Sequence, residues 1–164
     1  EILQAMKKIW TDDIVKFNGK FYKIPQSIID PKPIQKPHPK ILLGDFSPKT
    51  FERMVKYGDG HIGVLLGSFE YLHNSINMFN ESIEKSSRAR TDFDLTILTH
   101  PYITNSSSES DRAPMTGRTI DEIGSDLSML KNSGVDRVIL AVNAEKDYDV
   151  NETIEFVKEL QKFC

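Results

Sequence analysis

Cysteine is nearly absent from the sequence: Cys164 is the only one in 164 residues. No internal disulfide can form, and a reducing, cytoplasmic setting is expected. In that setting the sequons at Asn80, Asn105 and Asn151 read as chance. No apolar run approaches the ~20 residues that a membrane-spanning helix needs. Neither sign of charge dominates: 21 basic and 24 acidic side chains leave a formal charge of -3. Without a basic excess there is no electrostatic footprint for nucleic acid. The four histidines, His38, His61, His73 and His100, are not at metal-ligand spacing, and no His-Glu-x-x-His occurs, so no metal site is expected. Ser106 to Ser108 lack a nucleophile elbow and a placed base, which gives hydrolysis no support.

What is present is concentrated between Pro37 and Val64. Ile41, Leu42 and Leu43 form a short apolar run between Pro39 and Gly44, as in a strand buried on both faces. Ser47 stands where a helix N-cap belongs and Pro48 at the first helical position, with Lys49 and Thr50 on the first turn. Phe51, Met54 and Val55 share a helical face, and Gly58 is placed to stop the helix. Asp59-Gly60 turns the chain into a second strand from His61 to Leu66. A strand end followed at once by a helix N-terminus is an anion site in form, and Lys49 adds a mobile positive charge.

Around this unit the pattern alternates. Glu1 to Trp10 reads as the end of a helix. Asp12 to Ile24 reads as a hairpin, with Asn18-Gly19 expected to supply the positive φ angles of a two-residue turn. Five of the eight prolines lie between Pro25 and Pro39, which makes that segment an extended connector. Ser68 caps a helix whose stripe is Phe69, Leu72, Ile76, Phe79 and Ile83. A strand at 93–99 breaks at His100-Pro101, and the serine-rich stretch from Asn105 to Gly117 reads as a mobile loop. Thr119 and Glu122 form a capping-box pattern for a helix with Ile120, Ile123, Leu127 and Leu130 inside, ended by Gly134. A strand at 137–142 follows, then a loop from Asn143 to Tyr148 and a last helix with Ile154, Val157 and Leu160 inward. Four strands, each followed by a helix, require a parallel sheet with right-handed crossovers.

With Trp10-Thr11, Phe17-Asn18-Gly19-Lys20-Phe21-Tyr22, Pro31-Lys32-Pro33-Ile34-Gln35-Lys36-Pro37-His38-Pro39, Gly44-x-x-Ser47 and Gly58-Asp59-Gly60 in that order, the chain resembles the luciferase-like monooxygenase family. The resemblance is sharp over about the first 65 residues and rests further on only on alternation. It implies a (β/α)8 barrel and a flavin- or deazaflavin-dependent oxidoreductase. The chain departs from the family at Asp45, where a second glycine is usual, and at His61, where an aromatic residue is frequent.

A complete barrel takes ~250 residues and at least ~200, so this chain is too short for a whole one of ordinary size. The helical pattern is already running at Ile2 with no capping residue before it, as expected of a chain cut from something longer; a trimmed terminus is the alternative. The expected fold is therefore α/β, half of a (β/α)8 TIM barrel in one domain over 1–164. In it, 1–40 hold the helix, hairpin and connector, and 41–164 hold the last four βα units. A free-standing doubly wound sheet remains open as the structural alternative.

For function, the resemblance implies FMN or the deazaflavin coenzyme as cofactor and a small organic molecule as substrate. Gly44, Ser47, Lys49 and Thr50 are the candidate cofactor-binding residues, holding a phosphate; an ordinary N-cap beside a surface lysine is the other reading. Gly58-x-Gly60-x-x-Gly63 fits the dinucleotide fingerprint as a string. It stands after a helix and before a strand, the reverse of what that site requires, so it reads as a helix stop and turn. His100 would point to a barrel's active face, or merely start a loop before Pro101. Arg112 and Arg118 flank the serine-rich stretch as candidate anion contacts or solvated charges. No catalytic acid or base is assigned, because the flavin carries the redox chemistry in such enzymes. Self-association, or pairing with a missing N-terminal half, is expected. The alternatives are a non-catalytic half-barrel acting as a binding or assembly module, and an unrelated doubly wound small-molecule binder.

Overall fold

Alternation of short apolar runs with amphipathic stripes produces the expected βα repeat. The structure, a computed structural model, describes residues 1–45, 47–65, 67–103, 114–117, 119–141 and 150–163. A first helix α1 (Ile2–Thr11) leads into a hairpin of β1 (Val15–Asn18) and β2 (Lys23–Ser27). After the proline-rich connector come β3 (Leu42–Gly44), α2 (Pro48–Tyr57), β4 (Gly60–Val64), α3 (Phe69–Glu84) and β5 (Asp94–Thr99). Two short strands, β6 (Tyr102–Ile103) and β7 (Thr116–Gly117), precede α4 (Ile120–Asn132), β8 (Arg137–Leu140) and α5 (Val150–Leu160). Among the described residues no helix is long and apolar enough to cross a membrane.

The main sheet has the order β3-β4-β5-β8, and all three pairings are parallel. Its register aligns Leu43 with His61 and Leu95, and Gly63 with Ile97 and Val138. Leu95 and Ile97 are buried in one cluster with Phe51 and Met54 of α2, Leu72, Ile76 and Phe79 of α3, Ile123, Leu127 and Leu130 of α4, and Leu160 of α5. All four helices thus share a core with one face of β5. A doubly wound sheet would divide them between two faces, so that alternative is not what forms. On the other face the row Val64–Leu98–Ile139 crosses three strands, and Val64 and Ile139 are 38% and 39% exposed.

Helix ends follow their local signals. Gly58 caps α2 with its N–H on the Met54 carbonyl at 2.8 Å. Gly134, at φ +83, follows α4 in the left-handed conformation that glycine adopts without steric cost. Ile154 departs from expectation: it is exposed, and Phe156 and Leu160 make the core contacts of α5 instead.

The hairpin turn is also different from the one the sequence suggests. Asn18 pairs with Lys23, so four residues, Gly19 to Tyr22, make the connection, and neither Asn18 nor Gly19 has positive φ. The Glu1 carboxylate accounts for the longer turn. It accepts N–H groups from Lys20 at 2.6 Å, Phe21 at 2.8 Å and Tyr22 at 3.4 Å. Those bonds hold the Glu1 carboxyl below its ordinary pKa. A Cβ on Gly19 would stand 2.7 Å from that carboxylate and from the Phe17 ring, so glycine is there for space.

Candidate functional site

Parallel strands put Gly44, Val64, Thr99 and Leu140 at one end of the sheet, and the N-termini of the helices that follow gather there. The structure brings Gly44, Ser47, Lys49 and Thr50 into one turn at this end. Ser47 is the N-cap of α2, with Pro48 at the first helical position. Its hydroxyl makes no capping bond; it lies 3.1 Å from the Thr50 hydroxyl instead. The first turn of α2 carries no acidic residue.

The other helices of this end are finished differently. Ser68 accepts the Tyr71 N–H at 3.2 Å, with Glu70 on the first turn of α3. Thr119 accepts the Glu122 N–H at 3.3 Å, with Asp121 and Glu122 on the first turn of α4. The positive end of the α2 dipole is therefore left without the side-chain acceptor and the acids that answer it in α3 and α4. Thr50 is buried and Lys49 exposed, and among the described residues Lys49 forms no ion pair. Two hydroxyls, a helix N-terminus and a free ammonium form a donor set that fits a phosphate.

Gly44 adds room. A Cβ there would meet only the Ile62 carbonyl oxygen, at 3.6 Å, which is ordinary contact. Asp45, next in the chain, has φ +79, a left-handed conformation that glycine adopts without strain. Its side chain is exposed.

Beneath the first turn of α2 lies His61, noted in the sequence as a departure from the family pattern but not as a candidate site residue. His61 is fully buried, and its ring is 5.0 Å from that of Phe51, the residue after Thr50. Burial lowers its pKa to about 4, while a backbone hydrogen bond with Leu43 and the charge of Asp45 pull in the other direction. It packs as an aromatic ring, and the frequent aromatic at this family position was the signal available for it.

The remaining candidates separate. His100 is exposed just past the end of β5 and His73 is exposed on α3. Arg112, Arg118, Leu66 and the span 142–149 lie outside the described residues, as does most of the serine-rich stretch. Its last part is not a mobile loop: Met115, Thr116 and Gly117 are buried, and β7 pairs with β6. The Gly58-Asp59-Gly60 motif sits at the far end of the sheet from the α2 N-terminus. Gly60, at φ +158, has Asp94 backbone oxygen 2.2 Å from where a Cβ would be. The glycine serves close strand approach, not ligand binding. A separate groove of about 540 Å³ runs between α2 and α3, over Phe51, Val55 and Met78, with Glu52, Lys56, Glu81 and Lys85 on its rim. It touches Pro48 but none of the four candidate residues.

Fold and site together define a parallel α/β protein with an anion-ready helix N-terminus at the C-terminal end of its sheet. The chain belongs to the luciferase-like monooxygenase family, whose model it matches over residues 1–125. It is 45% identical over 59 residues, 36% of its length, to an FMNH(2)-dependent dimethylsulfone monooxygenase of Pseudomonas putida. It is 26% identical over 111 residues, 67% of its length, to the oxygenase component of a flavin-dependent trigonelline monooxygenase of Acinetobacter baylyi. These matches cover 16% and 30% of the two relatives. Among solved structures, an F420-dependent secondary alcohol dehydrogenase superposes on 98% of the chain with a TM-score of 0.75 at 16% identity. The coenzyme F420-dependent tetrahydromethanopterin reductase of Methanopyrus kandleri superposes on 94% with a TM-score of 0.67 at 11% identity. The chain covers 59% of each of these two structures.

Proposed function

We propose that this chain is the cofactor-phosphate-binding part of a flavin- or deazaflavin-dependent oxidoreductase, a monooxygenase or its deazaflavin counterpart. The observation that carries the reading is the N-terminus of α2. Its Ser47 hydroxyl does not cap the helix, its first turn has no acid, and Lys49 has no ion-pair partner among the described residues. Gly44, Ser47, Lys49 and Thr50 hold the phosphate; the bound FMN or deazaflavin supplies the redox chemistry. The protein groups bind and orient it. The dependence of one relative on FMNH(2) and of the other on flavin, and of two solved neighbours on F420, supports this choice of cofactor.

In this reading 1–164 form one domain, and the four βα units are the last four of an eight-stranded barrel. The Val64–Leu98–Ile139 row, exposed at Val64 and Ile139, faces the barrel interior and is covered by the other half of the barrel. The pocket for a small organic substrate is completed by that half.

Titration of FMN and of the deazaflavin coenzyme into the full-length protein that carries this chain tests the proposal. Lys49→Ala removes a charge-assisted contact and is expected to weaken binding by about 1.5–3 kcal/mol. Unchanged affinity for both cofactors returns Lys49 to the solvent-exposed surface and overturns the assignment.

A further inference from the structure

The open face of the main sheet carries charge as well as apolar surface. Leu95 and Ile97 of β5 turn toward the helices, so alternation places Asp94, Thr96 and Leu98 on the open face. On β8, Val138 and Leu140 pack against the helical core, which leaves Arg137 and Ile139 on that same face. Thr96 is register-opposite Arg137, and Leu98 is opposite Ile139. The face is therefore apolar toward the C-terminal ends of its strands and polar toward their N-terminal ends.

The polar part is not complete within this chain. Thr96 is fully buried, yet among the described residues its hydroxyl has no hydrogen-bond partner. A buried hydroxyl without a partner is costly, and native interiors seldom leave one. Beside it, the Arg137 side chain is 59% exposed and lies 3.9 Å from Oδ2 of Asp94. Lys40 already holds Oδ1 of that carboxylate at 2.5 Å. One carboxylate thus answers two cations, and the patch is left with excess positive charge.

In the barrel reading the missing half covers this face. Covering it takes Arg137 out of water, and a buried guanidinium needs a carboxylate against it. At the N-terminal end of its strands a barrel interior is packed side chain, so the counter-charge belongs to protein and not to a ligand. We infer that the half covering this face presents an acidic side chain at the level of Arg137. Its carboxylate accepts from the guanidinium and from the Thr96 hydroxyl, while apolar side chains meet Val64, Leu98 and Ile139. This depends on the barrel reading and adds to it the chemistry of the covering surface.

The test uses the full-length protein that carries this chain. Val64→Cys with Cys164→Ser reports the covering itself, through thiol labelling of the peptide that holds residue 64. Slow labelling is expected; labelling as fast as in the unfolded protein overturns the barrel reading and this inference with it. Arg137→Met removes the charge and strands the partner carboxylate. Relative to the unsubstituted protein, its folding equilibrium constant is expected to fall about a hundredfold or more at about pH 8. At about pH 5 the stranded carboxyl takes up a proton in the folded state, and most of the loss is recovered. Asp94 keeps Lys40 in this variant, so the recovery reports the partner. Arg137→Lys keeps the charge and is expected to lose about tenfold or less, folding even where Arg137→Met does not. Thr96→Val is expected to destabilise the covered protein about fivefold or more, whereas a neutral or stabilising effect overturns the Thr96 contact. With residue 64 protected, an Arg137→Met protein as stable as the unsubstituted one overturns the acidic partner and leaves the barrel standing. A loss equal at both pH values, or a failure to fold shared by Arg137→Lys, is a packing effect and overturns it too.

Discussion

Asp59 grips Ile41 by both of its backbone groups. The Asp59 N–H donates to the Ile41 carbonyl at 2.8 Å, and Oδ2 of Asp59 accepts the Ile41 N–H at 3.0 Å. Asp136 repeats the grip on Leu95, with distances of 2.9 and 2.8 Å. Each aspartate ends the loop before its strand and fastens that strand's start to its neighbour. The two clamps set the register at the end of the sheet remote from the α2 N-terminus.

Removing a clamp leaves a backbone donor with no carboxylate. Asp59 also lies within ion-pair distance of Lys7 at 3.4 Å and of Arg88 and His38, both at 3.9 Å. Asp59→Ala is expected to cost about 1–3 kcal/mol, and Asp136→Ala, at a more exposed carboxylate, less. Denaturant midpoints at an unchanged slope measure both. Equal effects from the two would show that burial does not set the cost.

Two glycines with positive φ differ in what surrounds them. Gly60→Ala drives a Cβ into the Asp94 backbone and is expected to abolish soluble expression or lower the midpoint severely. Gly67, at φ +86, has nothing within 4 Å of a built Cβ. Gly67→Ala therefore meets only the conformational penalty, about 1–2 kcal/mol. Parallel thermal unfolding of the two variants makes the comparison.

His61 gives a pH dependence whose sign follows from its pKa of about 4, below the ordinary 6.5. As pH falls from about 6.5 to about 4, the unfolded chain takes up a proton that the folded chain refuses. Stability is therefore full above the ordinary value and declines with acidification, by about 3 kcal/mol in total, before levelling below the folded pKa. In His61→Phe, which keeps the ring against Phe51, this component disappears. A wild-type profile no steeper than that of the variant over this range would count against it.

The three serine and threonine N-caps separate stability from binding. Ser68→Ala and Thr119→Ala each remove a capping bond and are expected to cost about 1 kcal/mol. Ser47→Ala removes no cap and is expected to cost less than half as much, while weakening FMN binding. A full capping cost at Ser47, with binding intact, would identify it as an ordinary N-cap.

The open sheet face predicts association of the isolated chain. Among the described residues β3 pairs only with β4 and β8 only with β5, and Val64 and Ile139 expose apolar surface. Sedimentation at micromolar concentration is expected to show self-association that Val64→Lys with Ile139→Lys reverses. A monomeric wild-type chain would mean that this face tolerates water.

Much of the architecture was legible because its signals are local. The N-cap at Ser47, Pro48 after it, the stop at Gly58 and the stripe of Leu72, Ile76, Phe79 and Ile83 each act within a turn or two of backbone. Apolar runs at 41–44 and 137–142 alternating with such helices require parallel strands, which is the order that forms. At the candidate site, the residues of the α2 turn could be named for the same reason. Contacts between distant residues were not legible. That Ser47 turns to Thr50 instead of capping, that His61 fills the space beneath Phe51, and that Asp126 accepts the Met115 N–H all depend on what the fold brings alongside. The Asn18-Gly19 turn shows the competition directly: its local preference for positive φ gives way to three N–H groups converging on the Glu1 carboxylate. Sequence by itself determined the helices and the four strands of the main sheet, but not the β6–β7 pair. Tertiary structure decided which buried polar groups meet, because a buried donor or carboxylate must find its partner wherever the packed chain supplies one.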